Sequence, residues 1–227
     1  MSLSNFLIMP AAAALNVNCS NLTLRMKHPS KLTLSAEELQ LVTDAGWILT
    51  KHTITGKVYA MFGKLAEQYR LVMEQLLLPL DVTGPSPKIS RGENYRQLPY
   101  VILDYPRCFE QENIVAIRTL FWWGNFFSIT LHLSGAHKQK YEAELFSAFE
   151  SLKEDSYHLC IHTDPWQHHF EEDNYRPVNT FSREAFEECI RQKPFVKLAV
   201  KFPLSGWNEI PSVLERNFCT MVGLLQP

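Results

Sequence analysis

The richest group of potential metal ligands in the sequence lies between residues 158 and 171. It contains four histidines and two carboxylates within fourteen positions: His158, His162, Asp164, His168, His169 and Glu171. Neutral imidazoles and carboxylates suit Zn²⁺ or Mn²⁺ better than a soft metal ion. The spacing of these residues matches no metal-binding motif of known mechanism, such as HExxH. A metal-assisted hydrolase that uses the first five of these residues as ligands is therefore the alternative to a non-catalytic function.

Motifs for nucleophilic catalysis and for nucleotide binding are absent from the sequence. It has no GxSxG nucleophile elbow and neither of the glycine-rich phosphate loops, GxGxxG and GxxxxGK[ST]. None of the five cysteines lies in a context that predicts a lowered thiol pKa. The sequence consequently predicts no nucleotide cofactor and favours a binding or interaction protein over an enzyme.

A second group of chemically capable residues lies in the aromatic and β-branched stretch from Leu98 to Ser134. This stretch predicts three strands, the last two joined by a tight turn at Gly124 and Asn125. Alternate side chains of a strand share one face of the sheet. One face of the predicted hairpin, the apolar face, consists of ordinary core residues. The opposite face, called here the mixed face, combines aromatic and polar side chains: Arg118, Leu120, Trp122, Phe126, Ser128, Thr130 and His132.

Two interpretations of the mixed face follow, because a contiguous apolar patch is usually covered or used. In the first, the N-terminal helices cover it, Arg118 pairs with Asp104, and His132 is hydrogen-bonded. In the second, it lines a pocket in which Arg118 binds an anionic group and the loop RGENYR closes over the ligand. The second interpretation predicts these ligand-binding residues: Arg118, Trp122, Ser128, Thr130, His132, Arg91, Tyr95 and Arg96.

The elements that position these residues are predicted from periodicity and capping signals. Ser35 and Glu38 form a capping box, so a helix begins there, and a second helix spans about 57–78 after a β-branched break at 50–55. Further patterns predict helices at about 137–153, 183–192 and 209–222, and strands at 157–163 and 195–202. The order of these helices and strands along the chain favours an α+β fold. It would be a mainly antiparallel sheet of about five strands, with the N-terminal helix pair and further helices packed on it. We expect one domain over residues 1–227, with 1–34 as an extended or poorly ordered arm.

Composition and charge narrow the classes of partner. Hydrophobic residues make up 46% and charged residues 20% of the chain, which is ordinary for a globular protein, and the net charge is −2. We expect neither nucleic acid nor a membrane as a partner, since the chain has no basic field and no long apolar segment. Five widely spaced cysteines predict reduced thiols and a cytoplasmic location. The expected partners are a small anionic or aromatic ligand and a second copy of the chain in a homodimer.

Overall fold

The computed structural model describes residues 32–76, 84–110 and 112–226. Most of the arm predicted for residues 1–34 lies outside these residues. The chain divides into two compact units between Leu49 and Thr50, and each is described by itself. Nothing in the structure tests the single-domain assignment, which stays a prediction.

The described part of the first unit is helical. Helix α1 (Ala36–Thr43) begins at the predicted capping box, in which Glu38 N donates to Ser35 Oγ at 3.1 Å and Ser35 N donates to Glu38 Oε2 at 2.7 Å. Helix α2 (Ala45–Gln75) starts in this unit, where Asp44 Oδ1 accepts from Gly46 N at 2.8 Å. Large apolar side chains of this unit are exposed: Leu39, Leu41, Val42, Trp47, Ile48 and Leu49. Nothing in the structure tests whether a second copy of the chain binds, so the homodimer stays a prediction.

Helix α2 continues through the stretch where the sequence predicts a break. It runs without interruption across residues 50–56, although that stretch is β-branched and ends at Gly56. The intrinsic penalty for such residues is below about 1 kcal/mol each. Burial of an apolar stripe further along the helix outweighs it. The stripe consists of Val58, Phe62, Leu65, Tyr69 and Met73.

Seven antiparallel strands form one sheet in the second unit. The strands are β1 (Lys88–Tyr95), β2 (Leu98–Glu110), β3 (Asn113–Trp122), β4 (Phe126–Ser134), β5 (His158–Cys160), β6 (Tyr175–Pro177) and β7 (Phe195–Pro203). Their order across the sheet is β1-β2-β3-β4-β7-β5-β6. The α+β fold with an antiparallel sheet is confirmed. The sheet has seven strands instead of about five because the RGENYR segment forms β1 and a three-residue strand, β6, pairs with β5.

Of the three remaining predicted helices, the first is divided into shorter ones and the other two form close to the predicted bounds. The pattern at 137–153 forms three short helices, α3 (Gly135–Lys140), α4 (Glu142–Ser147) and α5 (Phe149–Glu154). Helices α6 (Arg183–Gln192) and α7 (Ile210–Gly223) follow, and two 3₁₀ turns lie at Val178–Thr180 and Leu204–Gly206. Among the described residues, no helix is both long and apolar enough to cross a membrane.

The apolar face of the sheet carries the main core. Its residues on β3 and β4 are buried and form one cluster with side chains of α2 and α7. Phe62 packs edge-on against Phe127 at 6.4 Å, and Tyr69 stacks on Phe218 at 3.7 Å. The N-terminal helix α2 thus covers the apolar face from Val58 onwards. The expectation that the helices cover the mixed face is wrong.

Candidate functional site

The mixed face is covered by the irregular segment between β5 and β6, residues 161–174, called here the cover loop. Its aromatic residues pack on the strands: Trp166 lies 5.8 Å from His132, and Phe170 lies 5.2 Å from Phe126, between ring centroids. Tyr95, at the end of β1, adds contacts to Trp122 at 5.1 Å and to His168 at 5.4 Å. The richest group of potential metal ligands therefore lies in the segment that covers the mixed face.

One row of the sheet brings a bidentate ion pair onto the mixed face. The register places Asp104, Arg118 and Thr130 opposite one another on β2, β3 and β4. Arg118 donates from Nε to Asp104 Oδ1 at 2.8 Å and from Nη2 to Oδ2 at 2.9 Å. The third guanidinium nitrogen, Nη1, lies 3.3 Å from His168 Nε2. Asp104 thus neutralises the charge of Arg118, and the neutral imidazole of His168 accepts a further hydrogen bond from Nη1.

Lys197 brings a second cation to the same face. It lies opposite His132 on β7, and only 2% of its surface is exposed. Its Nζ donates to the main-chain oxygen of Gln167 at 2.6 Å and lies 5.3 Å from the ring centre of Tyr175. Within the described residues, no carboxylate forms an ion pair with it. Burial lowers the pKa of Lys197 to about 8, so the amine is still mostly charged at pH 7.

Two histidines beside these cations are held neutral. Burial, together with the charges of Lys197 and Arg118, lowers the pKa of His132 to about 3. The same causes hold the pKa of His168 well below its ordinary value. His132 Nε2 is buried and has no hydrogen-bond partner among the described residues, so the expected hydrogen bond is missing at this nitrogen. The cluster therefore carries one uncompensated positive charge, that of Lys197.

A small cavity and a larger groove meet at this cluster. The cavity has a volume of about 10 Å³ and is lined by Arg118, Thr130, His132, Trp166, His168 and Lys197, among others. A cavity of this size holds about one water molecule. The groove, of about 410 Å³, is lined partly by Ile114, Pro194 and Phe195. His132, Pro165 and Trp166 border both spaces, and Trp166 is 49% exposed. The side chain of Trp166 therefore lies between a charged interior and a groove with a largely apolar lining, which Glu112 and Ser134 also border.

The cover loop is fastened to the sheet at several points. The hydroxyl of Tyr95 accepts hydrogen bonds from the main-chain nitrogens of His168, at 2.8 Å, and His169, at 3.1 Å. Arg96 forms an ion pair with Glu171. Together with the contacts of Gln167 and His168 to the two cations, these bonds hold the loop against the sheet.

The structure brings together only part of the predicted ligand-binding set. Arg118, Thr130 and His132 line the cavity. Trp122 and Ser128 are buried elsewhere on the mixed face, and Trp122 belongs to a separate apolar cluster with Ile102 and Leu120.

Residues of the RGENYR segment have three different positions. Tyr95 and Arg96 contact the cover loop, not the cavity. Arg91 is exposed and pairs with Val101, whose side chain belongs to the core on the apolar face. In β-structure, residues paired in this way share a face, so Arg91 lies on the opposite side of the sheet from Arg118.

The five predicted metal ligands are dispersed. Strand β5 ends at Cys160, so His162 lies in a turn, where its Nδ1 accepts from Asp164 N at 2.9 Å. His158 packs against Phe170, and His168 contacts Arg118. Among the described residues, one group of three potential ligands converges, and it contains His169 with Glu171 and Asp173. Only one of the five predicted ligands belongs to it.

Comparison with known proteins gives no further guide to this site. No protein-family model, no curated protein and no solved structure matches the chain. Its function has to be argued from the site itself.

Lys197 and Trp166 are the site residues that the sequence analysis missed. Lys197 lies in the run FVKLAV, where a single charge interrupts an apolar strand. Lysine is almost never fully buried without a partner, so a lysine within such a run signals a special environment. Trp166 has no comparable signal, because the cover loop lacks periodicity.

Proposed function

We propose that this is a non-catalytic binding protein of the cytoplasm, and that its ligand is a small carboxylate with an apolar or aromatic body. The carboxylate takes the position between Lys197 and Arg118, and the body lies in the groove beside Trp166 and Phe195. The cytoplasmic location rests on the odd number and wide spacing of the cysteines.

The observation that carries the proposal is the burial of Lys197 with no carboxylate partner in the part of the chain that the structure describes. An unpaired buried cation costs several kcal/mol, so a fold retains one at the expense of its own stability. Lys197 nevertheless lines the same cavity as Arg118, whose Nη1 the ion pair with Asp104 leaves available. An anion here would interact with both groups at once.

The cover loop supports the proposal because it gives both cations neutral acceptors. Gln167 supplies a carbonyl oxygen to Lys197, and His168 supplies an imidazole to Arg118. Hydrogen bonds to an ionised carboxylate are about twice as strong as bonds between neutral groups. A carboxylate can therefore displace these two loop residues and open the cavity, which in the closed form holds no more than about one water molecule.

The groove supports the proposed apolar or aromatic body of the ligand. Apolar side chains make up much of its lining, namely Ile114, Pro165, Trp166, Pro194 and Phe195, although Glu112 and Ser134 border it as well, and its volume of about 410 Å³ is in the range of small-molecule sites. An apolar wall joined to a cationic interior matches an amphipathic anion. Among the described residues, His169 alone of the five predicted metal ligands joins a converging group, so no observation favours a metal-assisted hydrolase that uses all five.

Isothermal titration of the untagged protein with benzoate tests the proposal. We expect one site per chain, and the substitution Lys197→Met should weaken binding at least tenfold, in line with the roughly 1.5–3 kcal/mol of a charged hydrogen bond. Lys201→Met is the matched control, because Lys201 lies on the same strand and face but is exposed. Absence of benzoate binding at millimolar concentration, or equal weakening by both substitutions, would refute the proposal.

A further inference from the structure

Three residues at the end of the cover loop bring potential ligand atoms together. His169 Nδ1 lies 3.7 Å from Glu171 Oε2 and 3.7 Å from Asp173 Oδ1. The ligand atoms of all three residues lie within 4.8 Å of one another. They lie at alternate positions of one turn and do not include any residue that lines the cavity.

The imidazole of His169 is buried and points its free nitrogen at this group. Its side chain is 4% exposed, and within the described residues Nδ1 has no hydrogen-bond partner. A buried polar atom without a partner is unfavourable by about 1–3 kcal/mol, so it calls for an explanation. The two carboxylates are too far away to accept a hydrogen bond from it.

The backbone holds the three residues in place. The side chain of Asn174, which is completely buried, donates to the main-chain oxygen of His169. The main-chain nitrogens of Asn174 and Tyr175 both donate to the main-chain oxygen of Glu171, each at 3.0 Å. The turn from His169 to Tyr175 is therefore fixed by hydrogen bonds, whereas the carboxylates of Glu171 and Asp173 are 61% and 63% exposed, and that of Glu171 is bonded to Arg96 through its other oxygen.

Two separations between the ligand atoms, 3.7 Å each, approach those of a metal site. Bonds of about 2.0–2.1 Å in a tetrahedral zinc site place neighbouring ligand atoms about 3.3–3.4 Å apart. Small rotations of the two exposed carboxylates would close the observed 3.7 Å to that value. Arg96 binds the other oxygen of Glu171, so Oε2 remains available.

We propose that His169, Glu171 and Asp173 bind one Zn²⁺ ion. One imidazole and two carboxylates suit Zn²⁺ or Mn²⁺, and the nitrogen ligand disfavours Ca²⁺ and Mg²⁺. Three protein ligands leave the outer position of the ion to water. The ion would link the end of the cover loop to the hairpin of β1 and β2 through Glu171 and Arg96. This inference does not depend on the carboxylate ligand.

Calorimetric titration of the untagged, chelator-treated protein with Zn²⁺ alone tests the site. We expect one ion per chain, and Asp173→Asn should weaken binding at least tenfold while the exposed residue leaves the fold intact. Glu172→Gln is the matched control, since this neighbouring carboxylate is exposed and lies outside the group. Co²⁺ replacing Zn²⁺ should give visible absorption bands that Asp173→Asn removes.

Several outcomes would overturn the zinc site. They are the absence of stoichiometric Zn²⁺ binding, an unchanged affinity in Asp173→Asn, and equal weakening by Glu172→Gln. Lys197→Met should leave Zn²⁺ binding unchanged, so a failure of the carboxylate site and a failure of the zinc site are distinguishable.

Discussion

The ammonium group of Lys197 donates a 2.6 Å hydrogen bond to the main-chain oxygen of Gln167, which lies thirty positions earlier in the chain. A neutral carbonyl thus stands where a buried cation would normally meet a carboxylate. This hydrogen bond connects the stability of the sheet with the position of the cover loop.

Lys197→Met should stabilise the free protein. The substitution removes a desolvated charge and fills the same space with an apolar chain, which typically gains about 2 kcal/mol in the free energy of unfolding. Chemical denaturation at pH 7 measures the gain, and the exposed Lys201→Met should stay within about 0.5 kcal/mol of the wild type. A loss of stability in Lys197→Met would show that the lysine serves the fold rather than a ligand.

The advantage of Lys197→Met should shrink at alkaline pH. Burial lowers the pKa of Lys197 to about 8 from its ordinary 10.5. Between these values the unfolded chain binds more protons than the folded one, so the stability of the wild type rises with pH. Denaturation of both proteins at pH 7.5 and pH 9.5 checks this, and a constant difference between them would contradict it.

Acid should destabilise the protein through His132. Its pKa is lowered to about 3 in the fold, whereas the unfolded chain takes up the proton near 6.5. Stability is therefore fully present above pH 6.5 and falls as the pH drops towards 3, by about 2 kcal/mol between pH 6.5 and 5. His132→Gln removes this contribution, so its denaturation curves should change less over that interval. Equal pH dependence in both proteins would be the opposing result.

Asp104→Asn should be strongly destabilising. Arg118 and Asp104 form a largely buried bidentate pair, with side chains 19% and 10% exposed. Removing one partner leaves the other charge without compensation, at a cost of about 3 kcal/mol. The double substitution Asp104→Asn with Arg118→Met should recover part of the loss in chemical denaturation. A loss below about 1 kcal/mol in the single variant would contradict the assignment.

Tyr95→Phe should loosen the cover loop and strengthen benzoate binding. The hydroxyl accepts two main-chain hydrogen bonds, from His168 and His169, and its removal leaves both donors unpaired in the closed loop. Since the closed loop competes with the ligand, a less stable closed form raises the apparent affinity. Hydrogen exchange at residues 168 and 169 should accelerate. Weaker benzoate binding in this variant would mean that the closed loop forms part of the binding site.

The alternation along the hairpin could be read correctly from the sequence because it depends on local geometry. The alternation of side chains along the strands alone predicts that Arg118, Thr130 and His132 share one face, and it allows Asp104 to pair with Arg118, as observed. The cap at Ser35 was equally local and is confirmed.

The features that could not be predicted from the sequence depend on contacts between residues far apart in the chain. The cover loop has no period, so nothing local indicates that Trp166 lies over His132. Strand β1 was missed because its pairing with β2, not its composition, makes it a strand. Lys197 reaches the site because β7 pairs with β4 more than sixty residues away in the sequence.

The most direct measurement of the central claim is a crystal structure of the protein with 4-bromobenzoate, located by the anomalous signal of bromine. We predict bromine in the groove beside Trp166 and Phe195, the carboxylate within hydrogen-bond distance of Lys197 Nζ and Arg118 Nη1, and Gln167 and His168 displaced from these cations. A closed cover loop, with Gln167 still bonded to Lys197 and no bromine in the groove at saturating ligand concentration, would contradict it.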